Sequence, residues 1–126
     1  MSDIILDSDV IIEVLRGNEE VTEEVIRLGK SGHAVLYTPV SEAEIYHGIR
    51  GNEAGKAEAL FSGCASVPIT DTIGEKAGHY LRQFHKSHGT GLADALIAAA
   101  TCVNNAELFT LNHKHYPMKD IKIYKI

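Results

Sequence analysis

No apolar stretch in this chain approaches the roughly 20 residues that a membrane-spanning helix needs, so a helical bilayer protein is excluded at the outset. Cysteine is scarce. Cys64 and Cys102 stand far apart and without the spacing of a zinc site, and the first residues lack the basic start and cleavage site of an export signal. The expectation is a cytoplasmic protein in which both thiols stay reduced and partly buried. Linkers, repeats and low-complexity segments are also missing, so residues 1–126 are expected to form a single domain with one core. The formal charge of −5 argues against a protein that grips nucleic acid with its whole surface. One absence is local. From Lys76 to His88 there is no acid, while Lys76, His79, Arg82, His85, Lys86 and His88 all occur. The C-terminal segment adds His113, Lys114, His115, Lys119, Lys122 and Lys125 against Asp120 alone. These stretches read either as a solvated helix face with a lysine-protected edge strand or as a phosphate-binding rim.

What is present is an alternation of short apolar runs with helical patterns. Strands are expected at Ile4–Leu6, Ala34–Thr38, Ala65–Thr70, Leu108–Leu111 and Ile121–Tyr124. Helices are expected over residues 9–16 and 19–30, then from Ser41 to Arg50, Ala54 to Phe61, Thr72 to Ser87, and Leu92 to Val103. Ser41 with Glu44, and Thr72 with Glu75, read as capping boxes. The last helix is so apolar that it must be central. Strands alternating with helices imply an α/β fold with a parallel sheet covered on both sides. In such sheets the working site lies at the carboxyl ends of the strands.

Four positions fall at that end. Asp7 follows the first strand and Asn112 follows Leu108–Leu111, while Glu44 and Asp94 lie in the first turns of helices that follow the second and third strands. Each has an ordinary explanation taken singly. Asp7 caps the next helix, as Ser8 or Asp9 also would. Glu44 is the partner of Ser41, Asp94 answers the helix dipole, and Asn112 is a turn residue. Capping does not explain why all four share one end of the sheet. Carboxylates beside a hydrophobic core need a counter-charge, and oxygen donors without a Cys/His cluster favour Mg²⁺ or Mn²⁺. His85 with His88, and His113 with His115, are spaced closely enough for zinc or general-base roles. With no accompanying cysteine, they read as surface or rim residues.

Four segments in order now identify a resemblance. Ile5-Leu6-Asp7-Ser8-Asp9-Val10, Thr38-Pro39-Val40-Ser41-Glu42-Ala43-Glu44-Ile45-Tyr46-His47-Gly48, Gly91-Leu92-Ala93-Asp94-Ala95-Leu96-Ile97 and Thr110-Leu111-Asn112-His113-Lys114-His115-Tyr116 resemble the motifs of the PIN domain. The match is specifically to the short VapC-type toxins of toxin–antitoxin pairs. The aliphatic residue after Glu44 and the Gly four places on select Glu44 over Glu42. The resemblance implies a PIN-like three-layer α/β/α domain with a mostly parallel sheet of four to five strands. It further implies a metal-dependent endoribonuclease: Asp7, Glu44 and Asp94 hold Mg²⁺ or Mn²⁺, with Asn112 and Asp9 as contacts through water. Ser8 offers a hydroxyl to water or phosphate, and Thr110 belongs to the last motif. Arg82, Lys86 and Lys114 hold the RNA backbone. A VapB-type antitoxin is the implied partner, docking on the first two helices (Val10, Ile11, Val14, Leu15, Val21 and Val25, which read otherwise as core), and a homodimer is the implied assembly. Two rivals stand. One is a non-catalytic RNA-binding domain of the same fold. The other is a haloacid-dehalogenase-like phosphatase using Asp7 of Asp7-Ser8-Asp9 as nucleophile.

Overall fold

Five strands form one sheet in the order β3-β2-β1-β4-β5 in the computed structural model, which describes residues 2–126. They are β1 (Ile4–Leu6), β2 (Val35–Tyr37), β3 (Ala65–Ser66), β4 (Glu107–Phe109) and β5 (Lys122–Tyr124). Every pairing is parallel, so the sheet is wholly rather than mostly parallel. The helices are α1 (Ser8–Leu15), α2 (Glu19–Lys30), α3 (Pro39–Gly48), α4 (Ala54–Ser62), α5 (Asp71–His88) and α6 (Leu92–Val103), and a short 3-10 turn spans His113–His115. No helix among the described residues is long and apolar enough to cross a membrane.

Strand side chains alternate between faces, and the core divides accordingly. Ile5 and Leu108 pack with Ile73, Ala77, Tyr80 and the inner face of α6. Ile4, Leu6, Tyr37 and Phe109 pack with Val10, Ile11, Leu15, Val21, Leu28, Ile45 and Phe61 from the first four helices. This is the α/β/α layering expected. The inner face of α6 is Ala95, Ile97, Ala98, Ala99 and Ala100, all buried, and such small side chains let the helix lie close to the sheet. The docking face expected on α1 and α2 is corrected here. Val10, Ile11, Leu15 and Val21 are core residues, because one layer of helices must cover the outer half of the sheet.

Two caps differ from expectation. Thr38, not Ser41, caps α3, and its hydroxyl accepts from Ser41 N at 3.3 Å. The cause is Pro39, whose fixed φ and missing N–H suit the first helical position, so the residue before it becomes the cap. Glu44 therefore lies in the second turn and is released from capping. Likewise Thr70, not Thr72, caps α5, accepting from Ile73 N at 3.3 Å. β3 is also far shorter than the apolar run Ala65–Thr70, since only two residues pair with β2.

The sheet order places the site. From β1 the chain moves outward to β2 and β3, then returns to the other side through β4 and β5. The crevice between β1 and β4 at their carboxyl ends is thus the point where the connections diverge, where ligands of such sheets bind.

Candidate active site

Asp7 is delivered to this crevice by β1. Leu6 is in register with Phe109, so the next residues, Asp7 and Thr110, are brought side by side. Asp7 N donates to Phe109 O at 2.9 Å. The Asp7 side chain accepts from Ser8 N at 2.8 Å and from the Thr110 hydroxyl at 2.7 Å. Asp7 is thus the cap of α1, as the ordinary explanation held, but it is also only 6% exposed. Burial, then the neighbouring charge of Asp9, push its carboxyl up to about 6.

Asp9 leans over the same strand end. Its Oδ2 accepts from Leu111 N at 3.0 Å and lies 3.4 Å from the Thr110 hydroxyl. Its Oδ1 is buried with no hydrogen-bond partner among the described residues. Burial raises this carboxyl too. An orphaned carboxylate oxygen beside a second buried carboxylate is a costly arrangement unless something positive completes it.

Asp94 arrives through α5 and the loop before α6, as the residue pattern led one to expect. The chain reverses at Gly89, whose φ of +68° is left-handed and favours glycine. Two bonds clamp this reversal. His85 Nδ1 lies 2.8 Å from Thr90 O, and the buried Thr90 hydroxyl donates to His115 O at 3.0 Å. Asp94 Oδ2 then accepts from Gly91 N at 3.0 Å. Its other oxygen faces Tyr116, whose hydroxyl is 3.4 Å from Oδ1. Burial and the charges of Asp7, Asp94 and Asp9 all act on the same phenol and push it up.

Glu44 and Asn112 sit further out, and both are exposed. Glu44 Oε1 accepts from the Ser8 hydroxyl at 2.6 Å, and Ser41 Oγ lies 2.9 Å from the same hydroxyl. Ser8 thus engages Glu44 in this structure, rather than standing free for water or phosphate. Asn112 N donates to Thr110 Oγ1 at 3.1 Å, and its side-chain amide lies 3.0 Å from His115 Nδ1. His115 Nδ1 is in turn 3.4 Å from Asp94 Oδ2.

Among the described residues no group of three or more His, Cys, Asp or Glu side chains is placed to hold a metal ion by itself. The acids form an open rim instead. That is compatible with Mg²⁺, which is commonly held by one or two carboxylates with water and substrate phosphate filling the rest. The donor set fits a hard cation on its chemistry: oxygen donors, two carboxyls raised by burial, and one orphaned buried oxygen.

The basic residues divide into two groups. Arg82, Lys86 and Lys114 are exposed and make no ion pair among the described residues. Lys86 lies in the last turn of α5, just before the reversal that brings in Asp94. Lys76 does not belong with them. It pairs with Asp120 at 2.8 Å, near the start of α5. Lys122 is opposite Glu107, at the amino end of the strands and away from the acids. Tyr116 and Ser41 are site residues that sequence reasoning missed. Both stood inside the quoted motifs, but nothing in the residue pattern said that one hydroxyl would reach Asp94 and the other Ser8.

The PIN domain family model matches residues 4–121. The chain belongs to the PIN domain family. Among relatives within it, Ribonuclease VapC10 of Mycobacterium tuberculosis is 36% identical over 116 residues, covering 91% of this chain and 86% of the relative. Ribonuclease VapC19 of the same organism is 30% identical over 115 residues, covering 90% of this chain and 92% of the relative. The same PIN fold is found in VapBC2 from Rickettsia felis bound to a promoter DNA fragment, with a TM-score of 0.82, 18% identity and 96% of each chain covered. VapBC-1 from nontypeable Haemophilus influenzae superposes with a TM-score of 0.75 at 19% identity, again over 96% of each chain.

Proposed function

We propose that this chain is a divalent-cation-dependent endoribonuclease, the toxin half of a toxin–antitoxin pair. The observation that carries the reading is the meeting of Asp7 and Asp9 at the Thr110 hydroxyl, at the carboxyl end of the sheet, with one buried Asp9 oxygen left unpartnered among the described residues. Two PIN-family relatives that match over nine-tenths of the chain bear the name ribonuclease, which supports RNA as the substrate.

In this reading Asp7, Glu44 and Asp94 hold Mg²⁺ or Mn²⁺, and Asn112 and Asp9 reach it through water. When bound, the ion supplies Lewis-acid activation of a water and stabilises charge on the phosphate oxygens. The remaining work belongs to the protein. Thr110 and Ser8 N fix the Asp7 carboxylate, and the Thr110 hydroxyl also ties Asn112 to the same strand end. Ser8 holds Glu44, which otherwise projects from an exposed helix face. Arg82, Lys86 and Lys114 are free to meet the phosphate backbone of RNA, whose charge is the main source of sequence-independent affinity.

A VapB-type antitoxin is the partner proposed. The VapBC complexes that share this fold support it. A groove of about 130 Å³ between α1 and α3, lined by Ile12, Leu15, Arg16, Glu44, Ile45 and Gly48, offers a place for an inserted segment beside Glu44. Homodimerisation, a single-domain organisation and a cytoplasmic location complete the proposal.

The test is cleavage of RNA by the purified, partner-free chain in Mn²⁺ or Mg²⁺, with a chelator and Asp94→Asn as controls. Cleavage that needs metal and is lost in the variant is the expected result. Metal-independent cleavage refutes the cation. Binding of RNA without cleavage favours the non-catalytic relative, and hydrolysis of small phosphomonoesters favours the phosphatase.

A further inference from the structure

We infer that Tyr116 is a positioning residue for the cation site, its hydroxyl setting the orientation of the Asp94 carboxylate. The inference rests on the metal reading above. Tyr116 is 4% exposed, and its ring packs in the core cluster that contains Ala95, Ala98, Leu108 and Met118. A ring anchored there cannot swing away, so the hydroxyl is delivered to one place. That place is 3.4 Å from Asp94 Oδ1.

The chemistry of the hydroxyl suits the task. A tyrosine hydroxyl keeps its proton at neutral pH, so facing a carboxylate it is the donor. It brings a proton to the acid without bringing a competing charge. A phenol has one proton to give, and Asp94 Oδ1 is the acceptor it faces. An ionised carboxylate has lone pairs enough to keep this bond and still ligate a cation. Asp94 is then restrained from both sides, with Gly91 N on Oδ2 and Tyr116 on Oδ1. Asp7 is restrained separately, by Ser8 N and Thr110. Asp9 Oδ1 is left with no partner among the described residues. Groups that orient metal-binding carboxylates contribute on the order of 10- to 100-fold to metal affinity.

Tyr80 provides an internal control. It is also buried, and its hydroxyl donates to an aspartate, Asp120, at 2.7 Å, in a cluster that already contains Lys76. The experiment is calorimetric titration of the metal-stripped protein with MnCl₂, without RNA, comparing wild type, Tyr116→Phe, Tyr80→Phe and Asp94→Asn. Each phenylalanine keeps the ring and removes only the hydroxyl, and melting in EDTA verifies that both fold. Tyr116→Phe is expected to raise the Mn²⁺ Kd about tenfold, with Tyr80→Phe within twofold of wild type. Equal affinities for Tyr116→Phe and wild type, with Asp94→Asn unable to bind, overturn the role of Tyr116 while leaving the metal site standing. Equal weakening by Tyr80→Phe also overturns it, because the effect is then general destabilisation. A wild-type protein that takes up no Mn²⁺ refutes the metal reading itself, and the role of Tyr116 falls with it.

Discussion

The molecule contains two places where a buried tyrosine donates to an aspartate, and they are opposites. At Asp120 the carboxylate meets Tyr80 and Lys76, and Cys102 Sγ lies 3.7 Å away. Burial pushes that carboxyl up, but the bonds from Lys76 and Tyr80 outweigh it and hold it below the usual range. At Asp7 and Asp94 there is a tyrosine but no lysine or arginine. Burial and Asp9 win there, and Asp7 rises to about 6. The first cluster has a lysine for its cation; the second has only the His115 imidazole, 3.4 Å from Asp94 Oδ2. A folded protein can tolerate a few kcal/mol of such strain where it serves a site, and the difference supports the proposal that the second cluster is the working one.

The largest expected effect comes from removing an acid at the incomplete cluster. Asp7→Asn and Asp94→Asn should each lower RNA cleavage by roughly 10³-fold, the scale of losing a group that stabilises a transition state. A single-turnover assay with excess enzyme separates this from weakened RNA binding. Asp7→Asn should also melt higher than wild type in EDTA at neutral pH. A buried carboxyl raised from 3.8 to about 6 represents up to about 3 kcal/mol of unfavourable ionisation that the amide avoids. The converse change, Asp120→Asn, should lower stability by about 1 kcal/mol, because this pair is half-exposed and screened, and leave cleavage unchanged. Denaturant midpoints for the two variants would break the comparison if they moved the same way.

The two clusters should also answer pH with opposite signs. Asp7 binds its proton more tightly when folded. Its ionisation penalty is absent below pH 3.8 and grows as pH rises to about 6, so its contribution to stability falls across that window. Asp120 is held down in the fold, so its contribution is present above the ordinary carboxyl range and is lost as pH falls. Wild type minus Asp7→Asn, measured in EDTA as a function of pH, isolates the first slope. A smaller effect is expected from Ser8→Ala, which frees Glu44 and should lower the cleavage rate by about tenfold or less. The smallest belongs to the rim. Arg82→Ala with Lys86→Ala should weaken RNA binding a few-fold and reduce its salt dependence by roughly the two charges removed.

Much of this arrangement was legible in the residues. The strand Ile4–Leu6 and the helix Leu92–Val103 fall where the apolar pattern puts them. From the end of the first strand alone it followed that Asp7 would lie in the crevice. The caps were misread because Ser41 and Thr72 each precede a glutamate by three residues, while Pro39 acts more strongly at α3 and Thr70 at α5. That error mattered, since a capping Glu44 would have no carboxylate to spare. What no local pattern carried is the pairing of distant hydroxyls with acids. Tyr116 reaches Asp94 and Ser41 reaches Ser8 only because the sheet order brings α1, α3, α6 and the last turn to one end. Lys76 looked like part of a basic rim because its partner, Asp120, lies far along the chain.

The most direct test of the central claim, that the Asp7–Asp9–Asp94 cluster is built to be completed by a cation, is thermal melting of the metal-stripped protein across a Mn²⁺ titration at neutral pH, beside Asp94→Asn. A saturable rise in melting temperature for wild type, absent in the variant, is the result expected from a ligand that binds the folded state. Melting temperatures that ignore Mn²⁺ in both proteins, or rise equally in both, would contradict it.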